Sequence, residues 1–211
     1  MVLEPLLSVL LPDTCPACDG LGGVSGSRLC ARCEIAVPRL PRAVACPAPL
    51  AAAFVLGPYG GPLGALVRRG KYRPDAGAIL ELGRRLAAAA EGRLPEVGAV
   101  THVPVPARRR LRRGFDQGAL LAAEVARRLG VPHPTLLRRV RAEEQAGRGH
   151  RERLSGARGA FRLKAGATPP DHVLLVDDVM TTGATAAACA DELLCAGAKS
   201  VILLAVAGGA V

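Results

Sequence analysis

The stretch that most restricts what this chain can fold into is VLLVDDVMTTGAT, residues 173–185. Four aliphatic residues in a row read as a strand buried on both faces, which a parallel sheet covered by helices provides. The strand runs into Asp177 and Asp178, and two residues later into Thr181, Thr182, Gly183, Ala184 and Thr185, a turn that opens an Ala-rich helix. Paired carboxylates at the carboxyl end of a central parallel strand lie where open α/β sheets bind ligands. The Thr- and Gly-rich turn offers hydroxyls and backbone N–H groups at a helix N-terminus, which suits a phosphate monoester. At Gly183 no Cβ blocks an approaching anion.

The flanking pattern supports that placement. Apolar segments at 53–56, 97–105, 173–176 and 201–206 alternate with helical patterns at 62–69, 77–90, 119–129 and 184–196. Such alternation argues for an α/β domain with a mostly parallel sheet.

Ahead of it lie two Cys-x-x-Cys pairs, Cys15 with Cys18 and Cys30 with Cys33, eleven residues apart. Two such knuckles supply four thiolates for a tetrahedral Zn²⁺. The intervening loop holds Gly20, Gly22, Gly23 and Gly26, too little apolar material to fold unaided, and metal binding would supply the missing free energy. A redox dithiol is the weaker alternative, because neither pair sits in a thioredoxin-like βαβ context. Cys46, Cys189 and Cys195 read as packed or free thiols. Four prolines in 38–49 mark a linker, giving a small module over 1–49 and a main domain over 50–211.

Charge is unevenly spread. The net charge is +10, and residues 104–162 hold 15 Arg against 5 acids, so the remainder of the 211 residues sums to zero. That is a localised anion site on a globular protein, not a polycation. No segment reaches the ~18 apolar residues of a membrane span. Residues 2–11 are interrupted by Glu4 and lack a basic flank or cleavage site, so a cytoplasmic location is the expectation. Arg84 and Arg85, like Arg127 and Arg128, read as solvated helix faces. His102, His133, His150 and His172 show no metal spacing, and no GxxxxGK[ST], GxSxG or HExxH motif occurs.

Residues 173–185 resemble the 5-phosphoribosyl-1-pyrophosphate (PRPP) signature of type I phosphoribosyltransferases. Together with the Cys pairs, YGGPLGALVRRGKY at 59–72, THVPVPARRRLRRGFDQ at 101–117 and RERLSGARGAF at 151–161, the chain is identified as a member of the ComF family, named for a role in genetic competence. The resemblance implies a type I phosphoribosyltransferase-like parallel sheet flanked by helices, preceded by a four-cysteine zinc ribbon. It implies that Asp177 and Asp178 hold the ribose hydroxyls, and that Thr181, Thr182, Gly183, Ala184 and Thr185 wrap the 5′-phosphate. It also implies that Arg108, Arg109 and Arg110 form a pyrophosphate-binding loop, and that 138–161 is a mobile loop with Gln145, Glu152 and Arg153 matching the family. Where the family usually has Asn, this chain has Asp116 and Gly156. Where it has Thr-Pro-Pro-Gln, this chain has Ala142, Glu143, Glu144 and Gln145. Lys71 and Tyr72 match the family pattern, with a surface lysine beside a packed tyrosine as the equal alternative.

Two functions follow as expectations. One is a Mg²⁺-dependent transfer of phosphoribose from PRPP to an unidentified nitrogen acceptor. The other is a non-catalytic competence or DNA-processing accessory protein that binds single-stranded DNA or a protein partner. For the ribbon, metal analysis of freshly purified protein should find about one zinc per chain; finding none would overturn the reading.

Overall fold

The computed structural model describes residues 14–23, 27–72, 75–140 and 159–208. In chain order the elements are α1 (Ala31–Ala36), β1 (Arg42–Val44), β2 (Ala52–Pro58), α2 (Gly61–Tyr72), α3 (Ala76–Ala90), β3 (Ala99–His102), α4 (Ala107–Arg113) and α5 (Gln117–Leu129). They continue with β4 (Leu137–Arg139), β5 (Phe161–Leu163), β6 (His172–Met180), α6 (Ala184–Cys195) and β7 (Ser200–Gly208).

The main sheet runs β1-β2-β7-β6-β3. Four of its strands are parallel, and β1 adds an antiparallel edge within the stretch that reads as a linker. The central strands β6 and β7 carry unbroken aliphatic runs because helices or the small β4–β5 sheet cover both faces. Alternation along β6 sorts its side chains. Leu174 and Val176 pack with Leu66, Leu82, Leu86, Leu121 and Val125 from α2, α3 and α5. Val173 and Leu175 face the opposite way, toward Cys189 and Leu193 of α6 and Phe161 of β5. Among the described residues no helix is long and apolar enough to cross a membrane.

Several expectations are corrected here. The arginines after Pro106 lie on helix α4, not in a loop. Arginine is a good helix former, and Gly114, left-handed at φ 78°, ends the helix. Arg85 is not solvated: it is only 7% exposed. Its guanidinium pairs with Glu34 of α1, donates to Glu81 Oε1 at 2.7 Å, and reaches the Val37 carbonyl at 3.4 Å. Ser27 Oγ donates to Glu34 Oε2 at 2.6 Å. The Cys-rich segment therefore docks on α3 through a buried charge network, and Cys15, Leu29, Cys33 and Val37 join the same core as α2 and α3.

Removing the buried cation of that network should leave two poorly hydrated carboxylates, Glu81 and Glu34, with the exposed Arg39 still 2.7 Å from Glu34. Arg85→Met is expected to cost about 3–5 kcal/mol of folding stability, read as a lower urea midpoint with zinc bound. An unchanged midpoint would show that the ribbon is held by its apolar contacts alone.

Candidate functional site

Strand β6 continues beyond its aliphatic run to Met180, so Asp177 and Asp178 are still in the sheet. The Asp178 backbone N–H donates to Asp177 Oδ1 at 2.8 Å. Burial pushes the Asp177 carboxyl up to about 7, with the Asp178 carboxylate adding to the shift and Lys71 opposing it. Lys71, near the end of α2, places its Nζ 2.9 Å from Asp178 Oδ1.

Beyond β6, Thr181 and Thr182 are exposed and Gly183 is buried. Gly183 sits at φ 75° as the residue that caps α6. A Cβ there would come within 2.6 Å of Pro47 Cδ, so both the backbone angle and the space demand glycine. Thr182 Oγ1 accepts from the Ala184 N–H at 3.4 Å. The first turn of α6 therefore presents its positive end beside two hydroxyls.

A cleft of about 280 Å³ joins these parts. Asp177 and Asp178 line it from β6, Thr185 from the first turn of α6, Lys71 and Tyr72 from α2, Val103, Pro104, Val105 and Pro106 from the segment after β3, and Arg139 from β4. The structure thus brings the carboxylates and the last residue of the Thr-Gly turn into one cavity with two cations. It does not bring the α4 arginines into the lining: Arg108 and Arg110 are exposed on that helix, and the Arg109 side chain lies outside what is described. Gln145, Glu152 and Arg153 also lie outside the described residues.

Sequence reasoning gave Lys71 no firm role and placed Arg139 only within the 138–161 loop, without singling it out; the structure puts it on strand β4. Lys71 carried one signal, its match to the family segment at 59–72. Nothing in the sequence separated Arg139 from its arginine neighbours. Its guanidinium lies 5.2 Å from the ring centroid of Phe161, a fully buried side chain, which limits its freedom.

Two histidines without a sequence signal also meet near the cleft. His102 Nδ1 lies 3.3 Å from His133 Nε2, and His102 Nε2 lies 3.8 Å from Asp116 Oδ2. Burial holds both imidazoles below their usual range, which Asp116 opposes. Asp116 also caps α5, accepting from the Ala119 N–H at 3.2 Å. Asn would serve equally there as a cap.

The four ribbon cysteines converge as their spacing predicts. The Sγ atoms of Cys15, Cys18, Cys30 and Cys33 all lie within 4.8 Å of one another. Four thiols in that arrangement fit a closed tetrahedral zinc site with no open position. The Cys33 backbone N–H is the main cause that brings the Cys30 thiol down to about 7, whereas burial pushes the Cys33 thiol up. Cys46, Cys189 and Cys195 are not part of the cluster, and Cys46 Sγ instead lies 3.7 Å from the Leu50 carbonyl.

Comparison with known proteins settles the lineage. The chain is 35% identical over 194 residues to the DNA utilization protein YhgH of Salmonella typhi, covering 89% of this chain and 80% of that one. It is 32% identical to competence protein F of Haemophilus influenzae, over 62% of this chain and 61% of that protein. The chain belongs to the ComF family.

Residues 116–210 of this ComF protein match the phosphoribosyl transferase domain family. Among solved structures it is similar to a glutamine PRPP amidotransferase from B. subtilis, with 25% identity and a TM-score of 0.43 over 59% of this chain and 25% of that one. An adenine phosphoribosyl transferase from Trypanosoma brucei gives 15% identity and a TM-score of 0.46, over 80% and 75%. The fold is of the type I phosphoribosyltransferase class, with a mixed rather than wholly parallel sheet.

The raised Asp177 carboxyl has a testable consequence. Its pKa moves from the usual 3.8 to about 7, so the fold favours its protonated form. That contribution is complete below pH 3.8 and is lost as pH rises through 7. Asp177→Asn should therefore gain stability relative to wild type between about pH 4 and about pH 8, measured as the difference in urea midpoints. A difference that stays constant over that range would refute the shift.

Proposed function

We propose that the cleft binds PRPP with Mg²⁺ and transfers phosphoribose to a nitrogen acceptor, releasing pyrophosphate. One observation supports the reading: the Asp177–Asp178 pair and Thr185, the last residue of the Thr-Gly turn, line the same cavity as Lys71 and Arg139. A sugar phosphate has the matching chemistry, with vicinal hydroxyls at one end and a phosphate at the other.

In this reading Asp177 and Asp178 take the ribose hydroxyls. A carboxyl near 7 can both donate to and accept from a hydroxyl, and the neighbouring Asp178 lies 2.9 Å from Lys71 Nζ. Thr181, Thr182, Gly183, Ala184 and Thr185 take the 5′-phosphate through hydroxyls and helix-end N–H groups. The diphosphate then points toward Lys71, Arg139 and the 103–106 segment that leads into Arg108, Arg109 and Arg110. Gln145 and Arg153 belong to a loop proposed to cover it. The cleft suits Mg²⁺, which binds through one or two carboxylates plus substrate phosphates and would supply charge neutralisation of the leaving group. The step forms a C1–N bond and breaks the bond from C1 to the diphosphate oxygen. The electron pair leaves with pyrophosphate, and the acceptor nitrogen gives up a proton. Fixed cations and an aligned sugar lower the barrier by positioning and by stabilising developing charge.

A second reading draws on the relatives named for DNA utilization and competence. Arg108, Arg110 and the 81%-exposed Leu111 stand on α4 outside the cleft, a surface available to single-stranded DNA or a protein. Its DNA form predicts affinity that falls steeply with salt.

Calorimetry of PRPP with Mg²⁺ should show binding to wild type and loss of most of it in Asp178→Ala, with pyrophosphate release once a suitable amine or base is added. Equal absence of binding in both proteins would contradict the enzyme reading. Salt-dependent binding of single-stranded DNA under the same conditions would then favour the second.

A further inference from the structure

The last turn of α2 serves two places at once. Arg69 forms an ion pair with Asp19 of the first Cys knuckle and lies 3.5 Å from Asp75, the residue that caps α3. Two residues later, Lys71 reaches Asp178 in the cleft. Residues so spaced leave a helix on different sides, so one turn presents one cation to the ribbon and the next to the cleft. Between them, buried Gly70 has no clearance: a Cβ there would lie 2.6 Å from Gln117 Nε2. The turn is therefore seated against α5 and has little room to adjust on its own.

The other end of the chain of contacts begins at the thiols. Asp19 follows Cys18 directly and is left-handed at φ 62°, a conformation that non-glycine residues adopt rarely. Its N–H donates to the Cys15 carbonyl at 2.9 Å, and the Cys15 N–H donates to Gly20 O at 2.8 Å. These bonds define the knuckle that a metal on the four Sγ atoms closes. Whatever fixes the knuckle fixes where the Asp19 carboxylate points.

We infer that Asp19 and Arg69 are positioning residues for the cleft. The metal-closed knuckle aims Asp19, Asp19 holds Arg69, and Arg69 holds the turn from which Lys71 meets Asp178. Asp75 shares the hold on Arg69, so losing Asp19 loosens the turn without releasing α2. The coupling stands on these contacts alone; its effect on ligand binding rests on the function proposed above.

The chain has only three lysines, Lys71, Lys164 and Lys199, so amine acetylation followed by peptide mass spectrometry reads Lys71 cleanly. The proteins compared are full-length zinc-loaded wild type, chelator-treated wild type and zinc-loaded Asp19→Asn. Asparagine tolerates the left-handed backbone and removes only the charge. Lys71 should label roughly three- to thirty-fold faster in the second and third proteins, the range for disturbing a packed coupling element. Lys164 and Lys199 should label at unchanged rates. PRPP with Mg²⁺ should bind Asp19→Asn more weakly by a similar factor at unchanged zinc content. Equal Lys71 labelling in all three proteins would overturn the inference. Acceleration of all three lysines together would also overturn it, since the effect would then be loss of the fold. Faster Lys71 labelling in a protein that never binds PRPP would uphold the positioning and count against the proposed function instead.

Discussion

A strand buried on both faces can carry two adjacent carboxylates near its end only if something nearby offsets the water they lose, and that requirement organises the cleft. Three devices meet it. Asp177 moves toward its neutral form, Lys71 neutralises Asp178, and the positive end of α6 begins a few residues beyond. Each device depends on a different part of the chain. Lys71 needs the last turn of α2, which leans on the ribbon. The α6 start needs Gly183, which fits only because it leaves space for Pro47. The carboxylates themselves need β6 to stay in register with β3 and β7 through Val176 and Asp177.

The arginines divide by the company they keep. Arg85 is spent on the core, tying the Cys-rich segment to α3. Arg127 and Arg128 are matched by Glu124 and Glu91 on the surface, where such pairs contribute little. Arg139 faces the cleft, and Arg108 and Arg110 face solvent. Among the described residues these arginines thus separate into a structural cation, neutralised surface pairs, and two basic regions, one at the cavity and one on α4. Only the first of those regions already lies against a pair of carboxylates.

Much of this was legible in the sequence wherever a pattern extended over several residues. The continuous aliphatic run of β6 and its acid-turn-helix sequel identified the sheet and the lineage together, although the strand runs on past Val176 to Met180. The paired Cys-x-x-Cys knuckles announced a cluster that the structure assembles. Three-residue strands such as β1, β4 and β5 have no period to read, so they were invisible. Arg85 looked solvated because its pairing with Glu81, one turn earlier on α3, is usual on an exposed helix face, and Glu34 of α1 reaches it only by docking. Arg139 and the His102–His133 contact were hidden for the same reason: the meaning of each residue lies in a neighbour distant in sequence. The α4 arginines show the opposite error, a basic run read as a loop although its composition favours a helix.

The claim on which the account turns is that one cavity holds both ends of a ribose phosphate. A crystal structure of the zinc-loaded protein with ribose 5-phosphate and Mg²⁺ tests it most directly. The account predicts the phosphate within hydrogen-bonding distance of the 181–185 turn and the ring hydroxyls against Asp177 and Asp178. A sugar phosphate bound instead to the α4 arginines, with the carboxylates still facing an empty cleft, would contradict it.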